Sequence, residues 1–126
     1  MGWTSTLISP PDGDVGQYFN SLDKLLNRSD NVYLPGHGHQ VEDAKTYVAK
    51  LKKHRMEREN QILSILKIRP LNSYQIANKI YKNQPQPIIY AGSRNVFAHL
   101  INLLERNLIC CDGAISPDNC FEFINK

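Results

Sequence analysis

The stretch of residues 31–43, NVYLPGHGHQVED, limits most strongly what this chain can fold into. Residues 32–34 (Val-Tyr-Leu) form a short apolar run that predicts a β-strand, and Pro35 ends it because proline has no amide donor for a sheet. The Gly-His-Gly turn that follows has the backbone freedom of glycine, so we expect His37 to point into a site. Neutral imidazole is a common zinc ligand. His37 is therefore a candidate metal ligand, and the alternative is a loop histidine that only caps a turn.

The residues before this stretch predict a strand and then a helix. TSTLIS, at residues 4–9, is rich in β-branched side chains and is typical of a strand. The two prolines that follow stop it, and Asp14 is placed to cap a helix. The apolar residues at helical spacing are Val15, Tyr18, Phe19, Leu22, Leu25 and Leu26. Strand, helix and strand make one unit of a larger layered α+β fold. Alone, it would expose a sheet edge and an apolar face, so we expect a partner chain, a homodimer or domain swap, or a partly disordered N-terminal segment.

A long helical pattern then runs over residues 43–66, and its middle part, residues 52–60, is almost wholly polar. A helix that is polar all round usually bridges two packed units. We therefore place a domain boundary near residue 55, which divides the chain into residues 1–54 and residues 55–126.

The second half has the pattern of a winged helix. Ser73 is a suitable N-cap, and Asn107 is suited to the left-handed position that ends a helix. The pattern predicts helices at 74–81 and from 88 or 89 to 106, a loop at 83–87, and hairpin strands at 108–111 and 120–124.

These residues also carry a resemblance. VYLPGHG, preceded by GWTSTLISPPDGDVGQYFNSLDKLL and followed by HRMERENQIL, resembles the C-terminal part of metallo-β-lactamase-fold hydrolases. The most similar group carries an appended lactamase-associated winged-helix domain and includes a mitochondrial lactamase-β-like endoribonuclease. The resemblance covers residues 2 to about 123. It implies an α+β, mostly helical fold, in which a partial metallo-β-lactamase strand-helix-strand unit precedes a winged-helix domain.

The resemblance implies that His37 is the last ligand of a metal site, usually dinuclear zinc, and that His39 is a surface residue or supports a ligand. The family's other ligands come from a His-x-His-x-Asp-His motif, a further His and a Gly-Asp-His box, and none of these is in the sequence. Asp14, after Gly13, belongs to a helix start. A catalytic zinc site needs about three protein ligands. We therefore expect a chain that begins just after the Gly-Asp-His box and is inactive alone, unless a second polypeptide supplies the other ligands.

Basic residues suggest a second function. The net charge is only +3, but several cations are clustered, and the candidate nucleic-acid contacts are Lys50, Lys53, Arg55, Arg58 and Arg94. Alternatively, the basic residues of the long helix only form a solvent-exposed face and bind no nucleic acid. We expect His54 and Arg55 on the surface of this helix, near the joint between the two halves. The exposed side of the third helix would offer Arg94, Asn95, His99 and Asn102 to a nucleic acid. The hairpin and its loop, which would form the wing, carry Asp112, Asp118 and Glu122. These acidic residues argue against DNA, because phosphate repels them.

The cysteines and the lack of a long apolar run indicate the cellular compartment of the protein. Cys110, Cys111 and Cys120 are odd in number and lack Cys-x-x-Cys spacing, so we expect reduced, partly buried thiols. The sequence has no basic-then-apolar leader and no run long enough for a membrane helix, which favours the cytoplasm.

Three hypotheses remain: a fragment of a metal-dependent hydrolase that cleaves an ester or phosphodiester, a winged-helix module that binds RNA, another nucleic acid or a protein, and a dimeric structural remnant.

Overall fold

A computed structural model describes residues 6–125 and contains four helices and one hairpin in that range. The elements are α1 (Val15–Leu26), α2 (Ala44–Leu66), α3 (Ser73–Ile80), α4 (Gln86–Glu105), β1 (Ile109–Cys111) and β2 (Phe121–Phe123). Asp14 caps α1 as predicted, since its side chain accepts a hydrogen bond from the Gln17 amide. Asn107 has a φ of 57°, the left-handed conformation predicted where α4 ends. No helix in the described range is both long and apolar enough to cross a bilayer.

Two predicted helix starts are shifted. Asn72, and not Ser73, caps α3: its side chain accepts from the Gln75 amide, and the Gln75 side chain accepts from the Asn72 amide. Ser73 instead donates its hydroxyl to the Pro117 carbonyl at 2.9 Å, which ties α3 to the hairpin loop. Pro87 was predicted in a loop but lies in the first turn of α4, where proline is tolerated because the amide it lacks has no helical partner.

The C-terminal half has a core of its own. β1 and β2 pair antiparallel, with Ile109 opposite Phe123, and Leu71 adds a single bridge to Phe121. The buried apolar residues of this core are Ile62, Leu66, Leu71, Ile76, Ala77, Ile89, Val96, Phe97, Leu100, Leu103, Ile109 and Phe121. The order of three helices and a hairpin agrees with the sequence pattern, and assignment to the winged-helix class stays a prediction.

The two predicted N-terminal strands do not form as regular strands. Residues 4 and 5 of the first lie outside the described residues, and residues 6–9 have no sheet partner in the range 6–125. In the second, only Tyr33 makes a bridge, to Val41. The physical reason is that a strand exists only by pairing, and the backbone of residues 6–10 bonds instead to side chains of α2 and α4.

This N-terminal segment covers one face of α4. The Ile8 amide donates to the Asn95 side-chain oxygen at 2.7 Å, and the Arg94 guanidinium donates to the Ser9 hydroxyl and the Pro10 carbonyl. A small apolar cluster reinforces these bonds. It is formed by Ile8, Val15 and Ala98, with Tyr18 and Phe19 packed against it. Because this cluster takes one residue from α4, the two halves of the chain share a packed joint.

Arg55 lies inside that joint, so its predicted position on the helix surface is wrong. Its side chain is only 4% exposed. The guanidinium donates to the Thr6 carbonyl and, at 3.4 Å, to the Asn95 oxygen, and it stands 5.5 Å from the centre of the Tyr18 ring. Burial lowers the pKa of Arg55, while Tyr18 acts in the opposite direction. A carbonyl, an amide oxygen and a ring face thus stabilise the charge of Arg55. No carboxylate of residues 6–125 lies within ion-pair distance of it.

His99 is buried in the same region. It is fully inaccessible, and neither ring nitrogen has a hydrogen-bond partner among the described residues. Burial, and secondarily the positive charges of Arg55, Arg58 and His54, lower the pKa of His99 to about 3. The neutral imidazole is therefore the form that the folded protein holds at neutral pH.

Replacing Arg55 with alanine should destabilise the joint. We expect Arg55→Ala to lower the free energy of unfolding by about 2–3 kcal/mol, because it removes charged hydrogen bonds and buried packing. Urea denaturation followed by circular dichroism measures the change. Lys53→Ala is the matched control on the same helix, since Lys53 is exposed and its ion pair with Glu57 spans 3.9 Å. The control should stay within about 0.5 kcal/mol, and an equal loss in both variants would contradict the buried role of Arg55.

The depressed pKa of His99 predicts a pH dependence of stability. In the unfolded chain His99 takes up a proton near pH 6.5, whereas the folded chain resists it down to about pH 3. The stability linked to neutral His99 is therefore fully present above pH 6.5 and is lost as the pH falls toward 3. We expect the free energy of unfolding to decrease by about 2–3 kcal/mol between pH 6.5 and 4.5.

His99→Leu isolates this effect in the same urea titrations. The variant lacks the ionisable group and two unsatisfied buried nitrogens, so we expect it to match or exceed wild-type stability at pH 7 and to lose about 2–3 kcal/mol less on acidification. Parallel pH profiles for the two proteins would contradict the assignment.

Candidate metal centre

The turn that carries His37 is closed by a backbone pair. The Tyr33 amide donates to the Val41 carbonyl and the Val41 amide to the Tyr33 carbonyl, both at 2.9 Å. Between them the chain bends at residues 36–38, and Gly38 has a φ of 85°, a conformation that side chains other than glycine rarely adopt. His37 is exposed on this bend. The sequence prediction of a strand-stop-turn arrangement is confirmed for the turn and for one bridge.

The start of α2 anchors the other side of the turn. The Asp43 carboxylate accepts from the Thr46 amide at 3.2 Å and from the Thr46 hydroxyl at 2.8 Å. These two hydrogen bonds lower the pKa of Asp43, and the bond from the Thr46 hydroxyl has the larger effect. The Ala44 amide donates to the Asn31 carbonyl at 3.0 Å. Six residues after His37, the chain is thus fixed to a long helix, so the turn is held at both of its ends.

The described residues do not fit a complete metal site. Within residues 6–125, no three His, Cys, Asp or Glu side chains are grouped so that they could hold a metal ion. A catalytic zinc site needs about three protein ligands. His39, which is exposed as predicted, lies on the same turn, and Asp14 is used as the α1 cap. Within the described residues His37 could supply at most one ligand, and its role as a metal ligand stays a prediction.

The predicted nucleic-acid residues do not form one surface. Lys50 and Lys53 are exposed on α2. Arg58 is half-buried, 4.8 Å from the centre of the Tyr81 ring, and donates to the Gln61 side chain at 2.8 Å. Arg55 is buried, and Arg94 is bonded to the N-terminal segment. Nucleic-acid contact by Lys50, Lys53 and Arg58 stays a prediction.

The face of α4 that was predicted to be exposed is covered, so that prediction is wrong. His99 is fully buried, and Asn95 bonds to the Ile8 amide. A Cβ built on Gly16 would lie 3.1 Å from the Asn102 side-chain nitrogen, which shows how closely α1 approaches α4 there. An intramolecular contact thus occupies the surface that a helix-turn-helix protein would use to read bases.

The cysteines are free thiols. Cys110 and Cys120 are exposed, and only Cys111 is half-buried. The prediction of partly buried thiols therefore holds for Cys111 alone, and burial raises the pKa of that thiol.

Sequence reasoning missed the burial of Arg55 and His99, although a signal exists for each. Position 55 lies seven residues from both Val48 and Ile62, which are buried on α2, and seven residues are close to two helical turns. His99 lies three residues after Val96 and four before Leu103, on the buried stripe of α4. Periodicity read without regard to residue type would have placed both side chains inside.

Proteins of known sequence show a clear likeness to this chain. It is 32% identical over 93 residues to the "Beta-lactamase-like protein 2 homolog" of Drosophila melanogaster, covering 71% of this chain and 32% of that protein. It is 29% identical over 103 residues to the protein of the same name from Caenorhabditis elegans, covering 81% of this chain and 33% of that protein. The chain thus spans about a third of the length of these relatives. A scan of protein-family models gives no match.

Solved structures agree with these sequence relatives. A β-lactamase domain protein from Burkholderia ambifaria superposes with a TM-score of 0.80 at 16% identity, over 96% of this chain and 38% of that one. A metallo-β-lactamase family protein from Thermus thermophilus superposes with a TM-score of 0.69 at 22% identity, over 87% of this chain and 33% of that one. The chain therefore has the fold of the C-terminal part of metallo-β-lactamase proteins.

Proposed function

We propose that this chain forms the C-terminal part of a metal-dependent hydrolase in which His37 is one metal ligand. The remaining ligands come from a polypeptide segment that carries the rest of the metallo-β-lactamase fold. The substrate is an ester or a phosphodiester, and the metal is zinc. In sites of this class the metal lowers the pKa of a bound water to about 7, which makes it nucleophilic at neutral pH.

The observation that carries the proposal is the placement of His37. His37 is exposed on a bend. Two backbone hydrogen bonds between Tyr33 and Val41 close this bend, and the capped 23-residue helix α2 begins shortly after it. Gly38 adopts the positive φ that the bend requires, and a Cβ built on Gly36 would have no described atom within 4 Å. The likeness to proteins named for β-lactamase supports the same assignment.

A covalent hybrid tests this function. In it, the 93-residue part of the Drosophila relative that matches this chain is replaced by this chain. We expect the purified hybrid to bind zinc and to hydrolyse a chromogenic ester or phosphodiester. His37→Ala should weaken zinc binding by more than about tenfold, since even a residue that only supports a ligand costs that much. Competition with a zinc chelator of known affinity measures this.

His39→Ala is the matched control, because His39 is also an exposed imidazole and lies two residues further along the chain. Its zinc affinity and its rate of hydrolysis should stay within about twofold of the hybrid's. If His37→Ala and His39→Ala bind zinc equally well, His37 is not a ligand and the proposal is wrong.

A further inference from the structure

A cleft runs along one face of α4, beside the joint between the two halves of the chain. Tyr90, Ser93, Arg94, Phe97 and Ile101 lie on this face at the spacing of successive helical turns. They line two cavities of about 600 Å³ and about 310 Å³, which together form the α4 cleft, and Arg94 belongs to the walls of both. Residues 90 and 101 are about 17 Å apart along the helix, which matches about five residues of an extended chain.

Three segments that are distant along the sequence form the walls of the α4 cleft. They are residues 10–14 with Gln17, residues 73–74 at the start of α3, and residues 115–118 of the hairpin loop. Hydrogen bonds hold these walls in place. The Ser73 hydroxyl donates to the Pro117 carbonyl at 2.9 Å, and the Gly13 amide donates to the Ser9 carbonyl at 2.8 Å. The cleft is therefore formed before any ligand binds, which is usual for binding sites.

Exposed apolar side chains border the α4 cleft. Tyr90 is 64% exposed, Ile115 60% and Tyr74 41%. The Tyr74 hydroxyl donates to the Gln86 side chain, which limits the movement of the ring. Tyrosine combines a large apolar surface with few rotatable bonds, and it is among the residues that contribute most to binding at protein interfaces. These side chains therefore offer contacts to an apolar part of a ligand.

Arg94 places a single cation in the middle of the cleft. Its Nε donates to the Ser9 hydroxyl at 3.1 Å, and its Nη2 donates to the Pro10 carbonyl. Its Nη1 has no hydrogen-bond acceptor among the described residues, and no carboxylate of residues 6–125 lies within ion-pair distance. This nitrogen can therefore donate to an oxygen atom of a ligand.

Carboxylates surround this cation. Asp12 and Asp14 line the larger cavity, and Asp118 lines the smaller one. Asp14 caps α1, whereas the carboxylates of Asp12 and Asp118 have no cationic partner within residues 6–125. Among the described lining residues, three negative charges thus accompany one positive charge. This balance repels phosphate groups and attracts basic groups.

We propose that the α4 cleft binds a short extended peptide segment of another protein, with a basic residue at each end and apolar residues between them. Asp12 and Asp118 pair with the two basic side chains, and Arg94 Nη1 donates to a backbone carbonyl of the peptide. Tyr74 and Tyr90 contact its apolar side chains. Proline suits the apolar part, because a polyproline II segment is already extended and fits grooves lined by aromatic rings.

Binding of a labelled pentapeptide tests this proposal. The probe is Lys-Leu-Pro-Leu-Lys, blocked at both ends and labelled with rhodamine, and fluorescence anisotropy measures its affinity for the chain. We expect saturable one-to-one binding that is at least about tenfold tighter than that of Glu-Leu-Pro-Leu-Glu with the same label. The net charge of the chain is +3, so its overall charge favours the acidic peptide. Equal affinities, or tighter binding of the acidic peptide, would overturn the proposal.

A matched pair of carboxylate substitutions tests the charges. Asp118→Asn should weaken binding of the basic peptide by about two- to fivefold, since it removes one exposed ion pair. Asp12→Asn should act in the same way. Asp112→Asn is the control, because Asp112 is an exposed carboxylate of the same hairpin loop but does not line the cleft. It should leave the affinity unchanged, and equal losses in Asp112→Asn and Asp118→Asn would refute the site.

A second pair of substitutions tests the apolar contacts. Tyr90→Ala should weaken binding at least about fivefold, as expected for an aromatic residue at the centre of an interface. Ile88→Ala is the control, because Ile88 is 47% exposed on the same turn of α4 and does not line the cleft. Circular dichroism should show the wild-type helix content in both variants. Equal affinities of the two variants would contradict the role of Tyr90.

The remaining outcomes identify other occupants. A single-stranded oligouridine that displaces the peptide and loses affinity in Tyr90→Ala would assign the cleft to nucleic acid and overturn the proposal. Peptide binding by the chain alone that disappears in the hybrid would assign the cleft to the rest of the fold, with the same consequence. Because no residue of the His37 bend lines the cleft, His37→Ala should leave peptide binding unchanged whether or not His37 binds zinc.

Discussion

The packing of the N-terminal segment on α4 is the contact on which the rest of the structure depends. Arg55 reaches across it from α2 and donates to the Thr6 carbonyl, while Asn95 accepts from the Ile8 amide. A buried guanidinium without a carboxylate partner is costly unless its donors are satisfied, so the position of residues 6–8 and the burial of Arg55 stabilise each other. The same contact closes the face of α4 that an exposed helix-turn-helix would present. The C-terminal half therefore packs against the N-terminal half through this face of α4.

Much of the helical framework was predictable because helices are local. Asp14, the apolar spacing of α1 and the length of α2 depend on neighbours within four residues, and all of them were confirmed. The predicted strands depend on partners that are distant along the chain, and no such partner lies in the described range for residues 6–9. Arg55 was predicted on the helix surface because its side chain is charged, and this prediction was wrong. Helical period alone would have assigned it correctly.

The candidate site was predictable only in part, for a related reason. A turn between prolines and glycines can be read from sequence, and the bend at residues 36–38 follows from it. A metal site is a set of donors that converge in space, and the described residues bring no three candidate donors together. The chain superposes on only 38% and 33% of two longer chains, so it matches one part of a larger fold.

The uninterrupted α2 helix fixes the distance between two parts of the chain. Its 23 residues correspond to about 35 Å of helix. The bend with His37 lies near one end, and the core around Ile62 and Leu66 surrounds the other. Because the helix has no break, the His37 bend and the C-terminal core are held at a fixed separation.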